Sequence, residues 1–391
     1  MYADLHAWHD EFTAIRRHLH THPELAFQEN ATAAYIEEKL RSFGITDIET
    51  GWAKTGIVAT VHGKDGPASD KEHTIALRAD MDALPIVEQT GAAHASTIPG
   101  VMHACGHDGH TATLLMAARY LATHKPFSGT IHFIFQPAEE TGGGGGVMVE
   151  EGLFDKHPVK SVWGMHNWPR IPMGAALVRP GAMMASCDDM DITITGVGGH
   201  AAYPHKANDP VLAGAHLVIA LQSIVSRNVE PTEEGVVSVT VFQSGQTHNV
   251  IESTAVLRGT FRSHNPEIRA LLEKRIRDVC TGVAATFGVA IDINIYGGYP
   301  PTVNTADEAA IATQVLQSLL PHVVTDFKPA MGAEDFAFML EKVPGCFIGI
   351  GTGKTDSDPH LHDPRYDFND EILPIAASYW VRLAETLLPA K

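Results

Sequence analysis

The chain has 391 residues, of which 44% are hydrophobic, and a formal net charge of −18. This composition is typical of a globular protein with about two domains and a sizeable core. The negative charge argues against nucleic acid and anionic membrane surfaces as partners.

The first residues lack the positive and apolar segments of a secretory signal. No apolar run approaches the roughly 18 residues that a membrane helix needs. The four cysteines, at positions 105, 187, 280 and 346, show no paired framework. Reduced thiols are typical of the cytoplasm, so we expect a cytoplasmic protein without a membrane segment.

The N-terminal part is predicted to alternate helices and strands. We expect helices at 5–20 and 32–43, the second ended by Gly44, and strands at 45–49, 57–62 and 74–78. The last strand is apolar and of the buried kind, and Asp80 and Asp82 follow it. Carboxylates at the end of a buried strand lie where open α/β sheets bind ligands. Turn formation before Pro85 is the alternative.

The next segment is rich in metal-binding residue types. Three histidines, one cysteine and one aspartate fall between His103 and His110, and a helix is predicted at 111–124. We expect Cys105 and His107 to lie in the loop before this helix, where its dipole favours a thiolate. Thiolate and imidazole together suit zinc and neighbouring divalent metals. A surface turn that is rich in histidine by chance is the alternative.

Two further strands, at 129–136 and 159–164, also end in polar groups. The first leads into Glu139 and Glu140, and the second leads into His166. Of two adjacent carboxylates, one can bind a metal while the other serves as a general base; an exposed acidic turn is the alternative. Three successive strands ending in potential ligands indicate one shared sheet edge.

Five glycines, at 142–146, follow the two glutamates. The Lys-Ser/Thr pair of a Walker phosphate loop does not come after them, so a phosphate-binding role is not predicted. We expect these glycines to permit a close backbone approach beside the metal ligands.

From about residue 187 the pattern changes. Strands at 189–196, 235–244, 252–262 and 289–296 and helices at 208–228 and 266–287 follow the order β-α-β-β-α-β, which is ferredoxin-like. The α/β alternation then returns, with helices at 307–319 and 372–388, another beginning within 331–336, and a strand at 346–350. We therefore predict an α/β catalytic domain made of 1–184 and 299–391, with an inserted domain at 185–298.

The candidate site residues are numerous enough to hold two metal ions rather than one. They are Asp82, Cys105, His107, Glu139, Glu140, His166 and His362. Two divalent ions about 3.5–4 Å apart that share a water form a hydrolytic site.

These segments resemble the M20 metallopeptidase family, in particular its aminoacylase, hippurate hydrolase and auxin-conjugate amidohydrolase branch. The resemblance covers essentially the whole chain and rests on Arg78-Ala79-Asp80-Met81-Asp82-Ala83-Leu84-Pro85, His103-Ala104-Cys105-Gly106-His107-Asp108, Gln136-Pro137-Ala138-Glu139-Glu140, Gly164-Met165-His166, Gly198-Gly199-His200-Ala201-Ala202, Gly332-Ala333-Glu334-Asp335-Phe336 and His362-Asp363-Pro364. It implies a mixed-sheet, zinc-exopeptidase-like catalytic domain, with the ferredoxin-like insert as a lid and dimerisation domain.

The resemblance also implies roles for individual residues. The metal ligands would be Cys105, His107, Glu140, His166 and His362. Cys105 would bridge the two metals. Glu139 would be the general base and later the proton donor, and Asp82 would orient a ligand.

Three further residues lie in the inserted domain. By the resemblance, His200 reaches the site of a neighbouring subunit and stabilises the oxyanion. Asn249 would contact the substrate, although Glu252 stands where proline is common in the family. Arg262 would pair with a substrate carboxylate, and a structural ion pair is the equal alternative.

The implied function is hydrolysis of the amide bond of small N-acyl amino acids, using two divalent metal ions (Zn, Mn, Co or Ni). A homodimer or homotetramer formed through the inserted domain is expected. Cleavage of small peptides, as by a dipeptidase or carboxypeptidase, is one alternative. A hydrolase with Cys105 as nucleophile and a non-catalytic metal- or peptide-binding protein are the others.

Overall fold

The structure is a computed structural model that describes residues 2–355 and 357–390. The chain forms two compact units. The first contains the described residues of Met1–Gly181, Val303–Lys328 and Asp335–Lys391. The second contains Ala182–Thr302 and Pro329–Glu334.

The described residues form sixteen strands and eleven α-helices. The strands are β1 (Asp47–Trp52), β2 (Gly56–His62), β3 (Thr74–Asp80), β4 (Thr130–Gln136), β5 (Ser161–Pro172), β6 (Ala175–Leu177), β7 (Gly181–Met184), β8 (Cys187–Thr195), β9 (Gly199–His200), β10 (Gly235–Gln243), β11 (Val250–Ile251), β12 (Thr254–Ser263), β13 (Ala290–Tyr299), β14 (Thr302–Asn304), β15 (His322–Val324) and β16 (Gly345–Gly353). The α-helices are α1 (Ala3–Ala7), α2 (His9–Thr21), α3 (Asn30–Ser42), α4 (His107–His124), α5 (Gly144–Glu150), α6 (Leu153–Lys156), α7 (Pro210–Asn228), α8 (Pro266–Phe287), α9 (Ala306–Leu319), α10 (Ala337–Leu340) and α11 (Leu373–Leu387).

The first unit is built on a mixed sheet with the order β1-β2-β4-β3-β5-β16-β6-β15. Strands β4, β3, β5 and β16 run parallel at its centre. Every residue of β3 and β4 is buried, which explains why apolar residues predominate in both strands. The carboxyl ends of these strands therefore meet at one edge, and the predicted α/β fold class is confirmed.

Three local predictions were wrong in detail. The helix expected at 5–20 is interrupted at Trp8 and forms α1 and α2. The helix expected from 111 already begins at His107. The segment 331–336 is not helical, and only the short helix α10 follows it. Gly44 behaves as predicted, because its φ of 83° ends α3 with a left-handed residue.

The second unit contains the predicted β-α-β-β-α-β order. Its antiparallel sheet has the order β10-β12-β8-β13, and α7 and α8 pack against it. Leu217 and Leu221 of α7 and Ile276 of α8 belong to its apolar core.

Helix α7 is the one helix among the described residues that is long and apolar enough to cross a membrane. The expectation that no segment reaches that length was therefore wrong for this helix. Core helices of soluble proteins reach the same length and apolar composition, so α7 is not assigned as a membrane span.

Candidate metal centre

The edge where the parallel strands end gathers the predicted site residues of the first unit. Asp82 follows β3 and links two of them. Its backbone oxygen and Oδ1 lie 3.0 and 3.2 Å from Nδ1 of His107, and its Oδ2 accepts a hydrogen bond from the backbone N of Glu140 at 3.0 Å. Since these acceptors hold the proton of His107 on Nδ1, Nε2 is left with a lone pair for a metal.

His107 is the first residue of α4, not a loop residue as predicted. The turn before it depends on Gly106, whose φ is 97°. A Cβ at this position would also lie 2.4 Å from Oδ1 of Asn167 and 2.8 Å from the hydroxyl of Tyr366. Glycine is therefore required between Cys105 and His107 both for the backbone conformation and for space.

Cys105 and His166 meet on the other side of the cluster. The Sγ atom of Cys105 lies 3.4 Å from Nε2 of His166. The Nδ1 atom of His166 donates to the backbone oxygen of Asn167 at 2.8 Å, so its Nε2 is also free to act as a ligand.

Glu139 and Glu140 lie in a tight turn after β4. Oε2 of Glu139 is 3.9 Å and Oε1 of Glu140 is 4.0 Å from Nε2 of His107. The glycines that follow do permit the predicted close approach. A Cβ on Gly144 would lie 1.8 Å from the carbonyl oxygen of Pro137.

His362 completes the set from the loop after β16. Its Nε2 is 3.3 Å from Oε1 of Glu140, and its backbone N donates to the oxygen of Ala104 at 2.8 Å. This histidine has a φ of 65°, a conformation that is unfavourable for a residue with a Cβ. Its side chain is half exposed, at 52%, unlike the other predicted ligands.

All five predicted ligands and Glu139 are thus brought together. Cys105, Glu140 and His362 form one group with ligand atoms within 4.8 Å of one another, and His107, Glu139 and Glu140 form a second. A third group contains His107 and His166 with Asp80 and His110. Nε2 of His107 is buried and has no hydrogen-bond partner among the described residues, which fits a metal ligand.

The charges of the cluster also fit bound cations. Burial, together with the charges of Glu140 and Glu139, raises the pKa of the Cys105 thiol well above its ordinary value. Burial opposes protonation of His107, yet the charge of Asp80 and the hydrogen bond to Asp82 raise its pKa to about 10. Divalent cations would neutralise the carboxylates and favour the thiolate. Without them, the raised pKa disfavours Cys105 as a nucleophile.

A buried polar network behind the ligands was not assigned from the sequence. Arg78 donates to Oδ2 of Asp80 at 2.8 Å, and Nδ1 of His110 donates to Oδ1 of Asp80 at 2.6 Å. Nε2 of His110 lies 2.6 Å from Oδ1 of Asn167, and the side-chain amide of Asn167 donates to the hydroxyl of Tyr366 at 2.7 Å. Asp80 was noticed as a strand-end carboxylate and His110 as part of the histidine-rich segment, but no local signal indicates that these two side chains contact each other.

The remaining predicted residues belong to the second unit. His200 and Asn249 are both exposed and lie on a short ribbon, where β9 pairs with β11. Arg262 donates from NH1 to the backbone oxygen of Met331 at 2.9 Å. This bond goes to a carbonyl group, so the alternative of a carboxylate ion pair is not formed at that nitrogen, and the substrate contact stays a prediction.

Imidazole, thiolate and carboxylate ligands at the edge of a mixed α/β sheet define the class as a metal-dependent hydrolase. The profile of peptidase family M20/M25/M40 matches residues 76–386. The chain belongs to this family.

Individual relatives match along nearly the whole length. A hippurate hydrolase of Campylobacter jejuni subsp. jejuni is 41% identical over 96% of both chains. An N-acetylcysteine deacetylase of Bacillus subtilis is 38% identical over 98% of both. The YXEP protein of Bacillus subtilis, a dinuclear metal binding peptidase of the M20 family, has a TM-score of 0.83 and 34% identity, covering 98% of this chain and 99% of its own.

Proposed function

We propose that the protein hydrolyses the amide bond of N-acyl amino acids and uses two divalent cations. The observation that carries this proposal is the adjacent pair of the buried Glu139 and the partly buried Glu140. The Glu140 carboxylate joins the Cys105 and His362 ligands, and the Glu139 carboxylate lies beside them. The names of the relatives, a hippurate hydrolase and an N-acetylcysteine deacetylase, indicate substrates with a small acyl group.

The predicted ligands would hold the cations between the two glutamates and the histidines. They are Cys105, His107, Glu140, His166 and His362. Cations bound there would polarise the acyl carbonyl and make water more acidic. Zn, Mn, Co and Ni all suit this donor set, and the thiolate favours the softer ones.

Glu139 is the acid–base residue of the proposed mechanism. Its carboxylate takes a proton from the attacking water and returns it to the nitrogen of the leaving amine as the amide bond breaks. Its place beside Glu140 in the same turn sets its position relative to the ligands. Asp82 supports both the predicted ligand His107 and the turn that carries Glu139, because its carboxylate contacts the His107 ring and the backbone N of Glu140.

The exposed ribbon of the second unit would supply substrate contacts. Nδ1 of His200 accepts a hydrogen bond from the backbone N of Ala202 at 3.0 Å, so the neutral ring carries its proton on Nε2. That N–H can donate to an oxyanion in the site of a neighbouring subunit. Thr247 donates to Oδ1 of Asn249 at 3.0 Å, which leaves the amide hydrogens of Asn249 for the substrate.

A role of His200 in another subunit requires a homo-oligomer, as a dimer or tetramer. Support comes from α7, where Val211, Leu212 and Ile219 are exposed at 44%, 50% and 71%. Strands β10 and β13 are the edges of their sheet, which also invites pairing with a second copy.

A cytoplasmic location is part of the proposal. All four cysteines are free, which suits a reducing compartment.

The test is hydrolysis of hippurate, N-acetylcysteine, other N-acyl amino acids and dipeptides by metal-stripped protein, before and after Mn, Zn, Co or Ni is added. We expect N-acyl amino acids to be cleaved only after metal is restored. Dipeptide cleavage without any N-acyl activity would replace the proposal with a peptidase. Alkylation-sensitive activity that persists in chelator would point to Cys105 as nucleophile instead.

A further inference from the structure

Glu29 is a buried carboxylate outside the predicted site. It immediately precedes α3, and none of its surface is exposed. Its Oε1 accepts a hydrogen bond from the backbone N of Ala138 at 2.9 Å, and its Oε2 accepts one from the hydroxyl of Thr55 at 2.7 Å. Both oxygens therefore have a donor, as a buried carboxylate requires.

The bond to Ala138 reaches the residue that precedes Glu139. Ala138 has a φ of 56°, in the left-handed region that disfavours any residue with a Cβ. Its carbonyl oxygen accepts a hydrogen bond from the backbone N of Gly144 at 3.0 Å, which closes the turn containing Glu139 and Glu140. A turn that depends on an unfavourable conformation must be supported by its surroundings.

The same N-terminal segment contacts the turn at a second point. The Phe27 ring lies against Gly142, where an added Cβ would be 2.4 Å from the ring. Residues 27–29 thus touch the turn before Glu139 and after Glu140.

We propose that Glu29 is a positioning residue, which holds Ala138 in its left-handed conformation and thereby directs Glu139 and Glu140. The inference rests on the proposed roles of those two glutamates. The physical basis is the hydrogen bond accepted from Ala138, so a neutral acceptor of the same length should replace the carboxylate.

The test compares three substitutions of Glu29. E29M keeps the side-chain length but leaves the N–H of Ala138 buried without an acceptor. E29Q keeps an oxygen for Ala138 and offers an amide donor to Thr55. E29D keeps the charge but is one methylene too short to reach both partners.

We expect E29M and E29D to lower kcat about 10–100-fold and to weaken Mn²⁺ binding about 10-fold, as loss of a supporting hydrogen bond does at metal sites. KM should change little in E29M and E29D. The kcat and the Mn²⁺ affinity of E29Q should stay within about threefold of those of the unsubstituted protein. E29D decides the question if E29M does not fold.

The matched control is V61A. Val61 is buried and pairs with Ile131, near the end of β2 opposite Gly56 and the Pro137 turn. Its truncation should lower the Tm while kcat and Mn²⁺ affinity stay unchanged.

Two results would overturn the role of Glu29: unchanged kcat and Mn²⁺ affinity in both E29M and E29D, or an E29Q protein as impaired as E29M. Mn²⁺ binding measured by calorimetry decides the matter even if no substrate in the panel is cleaved. A fully active Glu139→Gln enzyme would instead contradict the proposed function, whatever Glu29 does.

Discussion

The two groups of candidate functional residues are held in opposite ways. In the first unit, the metal-site histidines His107 and His166 are buried, and each has one ring nitrogen hydrogen-bonded by the protein. In the second unit, His200 and Asn249 are exposed at a short ribbon of two strands, β9 and β11, with two residues in each strand. The first arrangement fixes the orientation of each ring, whereas the second leaves the side chains accessible.

This difference fits what each group is proposed to bind. Metal ligands work best when their tautomer and direction are set before the ion arrives. A residue that meets a substrate or another subunit must stay on the surface until that partner is present. Substitutions in either group test this contrast.

Glu139→Gln should lower kcat about 10³–10⁴-fold, within the range of general acid–base catalysis, because the amide cannot accept the proton of water. Metal content should stay unchanged, since Glu139 is not a predicted ligand. Turnover and bound metal are measured on the same preparation, with the exposed Glu150→Gln as control. Full activity in the Glu139 variant would remove this residue from the mechanism.

His200→Asn should lower kcat about 10²–10³-fold, the usual loss for an oxyanion donor. Mixing this variant with Glu139→Gln after subunit exchange tests whether His200 acts in a neighbouring subunit. In a randomly mixed dimer, about a quarter of the original activity should return, because half the dimers are mixed and each has one intact site. No recovery despite proven exchange would mean that His200 acts within its own chain.

Mn²⁺ at 100 times its Kd should raise the free energy of unfolding by about 2.7 kcal/mol for each occupied site, because the ion binds only the folded cluster. Cys105→Ala should lose most of this gain, while His200→Asn should keep all of it. Thermal unfolding with and without Mn²⁺ measures the difference. An undiminished gain in the Cys105 variant would contradict its role as a ligand.

A smaller effect concerns His132, a buried residue of β4 that lies outside the metal cluster. Burial, followed by the charges of His157 and His62, lowers its pKa to about 3, and Glu49 opposes the shift only weakly. Between this value and the ordinary pKa near 6.5, the unfolded chain binds more protons than the folded one, so stability falls as pH decreases.

His132→Gln should remove this acid sensitivity. Between pH 7.5 and pH 5, we expect the unsubstituted protein to lose about 1–2 kcal/mol of unfolding free energy from this group, and the variant to be spared that loss. Urea unfolding at the two pH values is the measurement. An equal loss in both proteins would assign the sensitivity to other groups.

Much of the fold could be predicted because its signals are local. The mainly apolar sequences of β3 and β4 and the turn chemistry after them depend on neighbouring residues alone. The alternation of strands and helices in the second unit was recognisable for the same reason. The break at Trp8 and the start of α4 at His107 were missed, because helix ends depend on what the first turn contacts.

The sequence by itself determined the chemistry of this protein: the types of ligand, their order along the chain, and the strand ends that carry them. Only the tertiary structure decided how they are supported. The contact of Glu29 with Ala138 and that of His110 with Asp80 join residues 109 and 30 positions apart. No periodicity reports such pairs, because a buried polar group needs a hydrogen-bond partner in space and not at any particular distance along the chain.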